Sequence, residues 1–119
     1  MASEKNFENR VKNFLKEQDC YFFKYWGGGE FTKAGIIACV AGFYLGIEVK
    51  GEKGKPSALQ IHNLRKIDDA GGAGILLYPD EFEVFKNFVL CLKASDLVNA
   101  QYNYELMKGR WLDWEQRFR

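Results

Sequence analysis

Hydrophobic residues recur with helical spacing at the start of the chain and form short apolar runs in its middle. After Ser3, a residue type that caps helices, four apolar residues fall on one helix face: Phe7, Val11, Phe14 and Leu15. This spacing predicts a first helix that runs from Ser3 to about Asp19. The aromatic segment 20–26 predicts a strand, and the glycine-rich stretch after it predicts a loop that continues to Gly35.

The rest of the chain alternates between apolar runs and amphipathic stretches. The predicted elements are a strand at 36–40, a turn at 41–42, a strand at 43–50, a helix from 57 to about 70, a strand at 73–78, a helix that opens at 79–80, and a helical segment at about 99–119. The second helix is expected to bury Leu59, Leu64 and Ile67. The third is expected to bury Phe82, Phe85, Phe88 and Val89.

The order α-β-β-β-α-β-α, with a terminal helical segment, predicts an α/β fold in which helices flank a mixed sheet. A length of 119 residues fits a single domain, 1–119, that can bury a core. The longest apolar stretch, 36–49, is too short and too interrupted by glycine to cross a bilayer. No membrane association is therefore expected.

The composition excludes some kinds of site but does not identify a function. Three widely separated cysteines and a single histidine argue against a disulfide framework and against a Cys/His zinc site. Reduced thiols and a polar N-terminus without a signal peptide predict a cytoplasmic protein. The net charge of +1 means that any DNA binding would depend on a local basic patch.

Glu48-Val49-Lys50 is the clearest candidate for chemistry. Glu48 and Lys50 stand two residues apart at the end of a predicted strand, so both side chains are expected on one face. In such a pair the carboxylate can bind a divalent cation. The lysine can orient an attacking water and offset charge on a reacting phosphate. The alternative is an ordinary salt-bridged pair on an edge strand.

The surroundings of this tripeptide resemble the virus-type replication-repair nuclease (VRR-NUC) domain of the PD-(D/E)xK superfamily, and most of all its stand-alone phage members. The matching features, over about 7–78, are the apolar strand that ends in Glu48-Val49-Lys50, the Gly/Lys loop through Gly54, Lys55 and Pro56, the helix opening Ser57-Ala58-Leu59-Gln60, the helix exit Ala70-Gly71-Gly72, Glu8 in the first helix, and the Thr32-Lys33-x-Gly35 loop. The resemblance implies a restriction-endonuclease-like fold. It also implies Mg²⁺- or Mn²⁺-dependent hydrolysis of phosphodiester bonds in branched or structured DNA, such as junctions or flaps.

The resemblance also implies residue roles. Glu48, Lys50 and Gln60 would be catalytic, and the metal would be held by Glu48, the Val49 carbonyl and Glu8. The chain departs from the family where a Pro-Asp pair normally follows the Lys-x-Gly loop, because no Asp lies between Glu30 and Glu48. The gap resembles a deletion of two or three residues. Because a hard cation needs several oxygen ligands, impaired activity is expected.

Several predicted contacts have ordinary alternatives. Lys33, Lys53, Lys55, Arg65 and Lys66 form a predicted phosphate-contact set, or simply a solvated surface. Gln60 stands three residues after Ser57 and can close a capping box instead of serving the site. Glu8 can be a surface acid, and His62 is either a DNA contact or a surface histidine.

The aromatic tail, with Tyr102, Tyr104, Trp111, Trp114 and Phe118, can stack on bases, pack on the body or join a second subunit. A two-fold homodimer is expected, with Phe7 and Phe14 adding apolar width to its interface. Two other functions stay open: a DNA-binding module that does not cut, and a structural or assembly protein.

Overall fold

The computed structural model describes residues 3–25 and 35–119 of the chain. Its elements are helix α1 (Glu4–Glu17), strands β1 (Tyr21–Tyr25), β2 (Gly35–Val40) and β3 (Phe43–Val49), helix α2 (Ala58–Asp69), strand β4 (Ala73–Leu77), a short 3₁₀ turn (Pro79–Glu81), helix α3 (Phe82–Lys93) and helix α4 (Leu97–Arg117). The predicted order of elements is confirmed. The last helix begins slightly earlier than expected because Asp96 caps it by accepting a hydrogen bond from the Asn99 amide.

The four strands form one mixed sheet in the order β1-β2-β3-β4. The first three strands are antiparallel, and β4 runs parallel to β3. Ala41 and Gly42 both take positive φ angles, 51° and 87°, as the tight turn between β2 and β3 requires. An α/β fold with a mixed sheet flanked by helices is therefore confirmed.

Two hydrophobic clusters hold the sheet between helices. The larger one packs α1 and α3, with part of α4, against one face of all four strands, and includes Phe7, Val11, Leu15, Ile36, Leu45, Ile47, Ile75, Phe85 and Met107. The smaller one joins α2 to the other face of β4 and includes Ile61, Leu64, Leu76, Tyr78 and Trp111. Because α2 contacts mainly β4, the same face of β1 and β2 is left largely open.

Helix α4 closes the β4 edge of the sheet. Trp111 Nε1 donates to the Gly74 carbonyl at 2.8 Å, and the Gly74 amide donates to the Tyr104 hydroxyl at 3.1 Å. These side chains satisfy backbone groups that an edge strand otherwise leaves unpaired. Trp111 and Tyr104 are buried, so the tail packs largely on its own sheet, while Tyr102 and Phe118 stay exposed.

One predicted burial position is wrong, since Leu59 is about half exposed. The second helix buries Leu64, as predicted, together with Ile61, and Ile67 is partly buried. Phe7 and Phe14 lie within the protein's own core, so they are not available to widen a dimer interface.

Candidate functional site

Glu48 lies near the end of β3, on the sheet face opposite the larger cluster. Its neighbours Ile47 and Val49 point into that cluster, since side chains alternate along a strand. The Glu48 side chain is held from above by α2, because Gln60 Nε2 donates to Glu48 Oε2 at 3.2 Å. The carboxylate is therefore fixed between the sheet and the start of α2.

Gln60 combines the two roles that its position suggested as alternatives. Its Oε1 accepts from the Ser57 amide at 2.9 Å, and the Ser57 Oγ accepts from the Gln60 amide at 3.1 Å. This is a complete capping box. The same side chain has its amide nitrogen left to hold Glu48, so the cap of α2 also positions the carboxylate.

Partial burial of Glu48 gives it unusual acid chemistry. Burial raises the pKa of Glu48 to about 7, the nearby negative charge of Glu4 acts in the same direction, and the positive charge of Lys50 opposes them. A carboxyl group with such a pKa exchanges its proton near neutral pH. Titratable groups perturbed in this way are concentrated at functional sites.

Lys50 is almost fully buried beside Glu48, with 2% of its surface exposed. Its backbone amide donates to the Leu77 carbonyl of β4 at 2.9 Å. Gly54 lets the following loop lie against the lysine stem, since a Cβ there would stand 3.2 Å from Lys50 Cβ. The Tyr78 hydroxyl donates to the Gly54 carbonyl at 2.6 Å and secures the loop in that place.

Gly35 lies beside Glu48 on the neighbouring strand. The β2–β3 register pairs Ile36 with Ile47, so one residue further it sets Gly35 opposite Glu48. A Cβ on Gly35 would stand 2.9 Å from Glu48 Oε1 and 3.1 Å from the Ile47 carbonyl. Position 35 is therefore where a second side chain would meet the carboxylate, and any Cβ there requires the Glu48 side chain to shift.

The space in front of Glu48 is a cleft of about 280 Å³ between the sheet and α2. Its lining includes Tyr25, Gly35, Tyr44, Glu48, Asn63 and Lys66. A concave site with one perturbed acid at its floor and mixed apolar and polar walls is typical of a ligand or reaction site.

Glu8 does not have the surroundings expected of a metal ligand. It pairs with Lys12 Nζ at 2.9 Å and with Lys24 Nζ at 3.3 Å. Burial alone would raise the pKa of Glu8, but the hydrogen bonds and charges of these lysines outweigh it and hold the pKa below its usual value. The acid of α1 whose charge reaches Glu48 is Glu4. Its place one helical turn before Glu8 was the signal in the sequence that could have indicated it.

The side chains fit a divalent ion only in part. Within 3–25 and 35–119, no three Asp, Glu, His or Cys side chains come together as a ligand cluster. The buried carboxylate of Glu48 is a suitable hard ligand, and the Val49 backbone carbonyl follows it directly in the chain. A cation there would need further oxygens from water and from a phosphate.

The predicted phosphate contacts divide into three groups. Arg65 is engaged within the protein, since its Nε and Nη2 donate to the two Glu115 oxygens at 2.9 and 2.8 Å, so its prediction as a DNA contact is not supported. Lys53 and Lys55 are exposed on the loop after Lys50, and Lys66 is exposed on α2. His62 is likewise a surface residue. Lys33 and the glycine-rich loop lie outside the described residues.

Comparison of the chain with protein-family models, curated proteins and solved structures finds no match. Within the described residues, no helix is long and apolar enough to span a membrane.

Proposed function

We propose that this chain is a DNA nuclease of the restriction-endonuclease-like class that hydrolyses phosphodiester bonds in branched or structured DNA, with the reacting phosphate received between Glu48 and Lys50. The observation that carries the proposal is a partly buried acid, Glu48, that lines an open cleft and lies close enough to the buried Lys50 for the charge of the lysine to act on its pKa. Charged side chains are costly to bury, so their retention here favours a role in chemistry.

Each residue has a definite task in this mechanism. Lys50, buried next to the carboxylate, offsets negative charge that develops on the phosphate and orients the attacking water. Gln60 holds Glu48 in place through its amide nitrogen. Bound Mg²⁺ or Mn²⁺ would supply Lewis-acid activation of the phosphate and of water, with Glu48 and the Val49 carbonyl as the protein's ligands.

The short ligand set favours one second candidate, a DNA-binding module of the same fold that does not cut. Glu8 is ion-paired elsewhere, and glycine occupies position 35 beside Glu48. On the primary proposal the substrate phosphate completes the metal site, so metal affinity is low without DNA. Either activity would take place where the DNA lies, in the cytoplasm of the cell, or of the host cell if the chain is encoded by a phage.

The test is a titration of fluorescent four-way junctions and flaps with the purified chain, in Mn²⁺ and in EDTA. Cleavage should require Mn²⁺, and Glu48→Gln and Lys50→Met should each lower its rate about 10²-fold or more. Glu83→Gln is the matched control, because its side chain is exposed on α3 and pairs with Lys86, away from the cleft at Glu48. Binding without cleavage would establish the second candidate, and neither binding nor cleavage would support a structural role.

A homodimer remains a prediction, and the structure changes where its interface should be sought. Tyr104 and Trp111 are already buried within the chain, which leaves Tyr102 and Phe118 as the exposed tail aromatics. Light scattering at micromolar concentration should give twice the 13.7 kDa mass of one chain. A monomer mass there would exclude the dimer.

A further inference from the structure

The open face of the sheet is lined with aromatic side chains, and it leads to Glu48. Along β1, every residue that points to this face is aromatic and about half exposed or more: Tyr21 at 73%, Phe23 at 46% and Tyr25 at 47%. Tyr44 on β3 is 51% exposed on the same face. We call these four residues the aromatic face. Exposed apolar patches of this kind mark interaction sites.

The strand register sets the aromatic face in three rows, of which the last ends at Glu48. The three rows across β1, β2 and β3 are Tyr21, Cys39 and Tyr44; Phe23, Ile37 and Gly46; and Tyr25, Gly35 and Glu48. At the α2 side of these rows, Ile67 covers Gly46 and the Glu48 carboxylate lies against Gly35. Tyr25, Ile37 and Tyr44 line both the recess over the aromatic face and the cleft at Glu48, so the two surfaces are continuous.

We propose that the aromatic face binds an unpaired strand of the DNA substrate, with bases against the rings, and directs that strand into the cleft at Glu48. The inference rests on the proposed function, since it names the part of a branched substrate that the site would receive. Aromatic platforms bind single strands because every base offers a π-face. A duplex would offer only its grooves and phosphates to the same rings.

Spacing and charge favour a nucleic-acid strand over a second copy of the chain. The Tyr21 and Phe23 ring centroids lie 6.2 Å apart, close to two steps of the rise of about 3.4 Å per nucleotide. Among the described residues of β1, β2 and β3, Glu48 is the single acid that points to this face. Lys66 is exposed at the rim of the cleft, where it can meet a phosphate.

The test compares two fluorescein-labelled DNA duplexes by anisotropy in EDTA, one blunt and one with an unpaired overhang of ten thymidines. The chain should prefer the overhang. Phe23→Thr and Tyr21→Thr, which keep a strand-forming residue, should each weaken overhang binding about fivefold or more and leave the blunt duplex unchanged. Tyr21→Phe should retain binding. Tyr102→Ala, an exposed aromatic on α4, is the matched control and should have no effect.

A second measurement locates the contact. With 5-iodouracil in the overhang, ultraviolet cross-linking should yield adducts on β1, at Tyr21, Phe23 or Tyr25. Adducts confined to α4, or equal affinity of Phe23→Thr and the parent chain, would overturn the inference. A dimer that dissociates on Phe23→Thr without loss of overhang affinity would identify the face as a surface for self-association and would also overturn it.

The inference and the proposed function can fail separately. Overhang binding that depends on Phe23, with no cleavage in Mn²⁺, would support strand binding by the aromatic face and contradict the proposed nuclease activity. Cleavage that depends on Glu48, with overhang affinity unchanged by Phe23→Thr, would support the nuclease activity and contradict strand binding by the aromatic face.

Discussion

Replacing Glu48 by glutamine should stabilise the fold, and the gain should grow as the pH rises. The folded-state pKa of Glu48 is raised by burial from 4.5 to about 7, so the folded protein favours the protonated side chain. Its contribution to stability is fully present below the unfolded value of 4.5 and is lost as the pH rises through about 7. A neutral glutamine does not undergo this loss.

The size of the effect follows from the shift. At about 1.4 kcal/mol per pKa unit, the full shift corresponds to about 3 kcal/mol. Glu48 keeps some contact with water in the cleft, so an observed difference of about 1–3 kcal/mol is expected. Glutamine can still accept the hydrogen bond from Gln60 through its own carbonyl oxygen, so the cap of α2 should stay intact.

The assay is urea unfolding followed by tryptophan fluorescence at about pH 5 and about pH 8, in EDTA so that no metal ion contributes. The Glu48→Gln variant should gain about 1–3 kcal/mol over the parent chain between the two conditions. Glu8→Gln is the control. The pKa of Glu8 is held low by its lysines, so the contribution of the Glu8 carboxylate to stability is lost only as the pH falls below about 4.5. The Glu8→Gln substitution should therefore lower the free energy of unfolding by the same amount at both pH values. If parent and Glu48→Gln show parallel pH dependence, Glu48 is not a destabilised buried acid and the argument fails.

Three further substitutions test the cleft and the edge of the sheet. Gly35→Asp should bring Mn²⁺-dependent thermal stabilisation and at least about tenfold faster cleavage. Gly35→Ala should lower the stability of the fold without any response to Mn²⁺, and an equal response of the two variants to Mn²⁺ would contradict a metal site between positions 35 and 48. Gln60→Ala should cost more free energy of unfolding than the roughly 1 kcal/mol of Ser57→Ala, because it removes a buried contact as well as the cap; equal costs in urea unfolding would contradict this. Tyr104→Phe should cost about 1–3 kcal/mol by leaving a buried amide without its acceptor, with Tyr102→Phe as a neutral control in the same assay.

Local patterns in the sequence were enough to predict the order of the elements and the position of Glu48 on β3. The apolar alternation of β3 sets Ile47 and Val49 inward and Glu48 outward, and the structure follows it. The capping box at Ser57 and Gln60 is likewise a local signal. Each of these depends on neighbours within four residues, where helix and strand periodicity applies directly.

What the sequence could not supply depends on distant pairing. Arg65 was expected to contact phosphate, but its partner Glu115 lies 50 residues away, and nothing near Arg65 indicates that pairing. The position of Gly35 opposite Glu48 depends on the register of β2 and β3. That register also bears on the missing aspartate, since an aspartate at position 35 would lie beside Glu48 without any inserted residue.

The alternative of an ordinary ion pair can be judged by comparison within the same fold. Glu8 shows the properties of a structural pair: two lysines lie within 3.3 Å, and together they lower its pKa. Glu48 has the opposite balance, since the charge of Lys50 does not offset burial and its pKa rises. An ion pair that served stability alone is expected to have a lowered carboxyl pKa, as Glu8 has. At Glu48 the charge of Lys50 offsets only part of the free-energy cost of burying the carboxylate, and groups perturbed in this way are concentrated at functional sites.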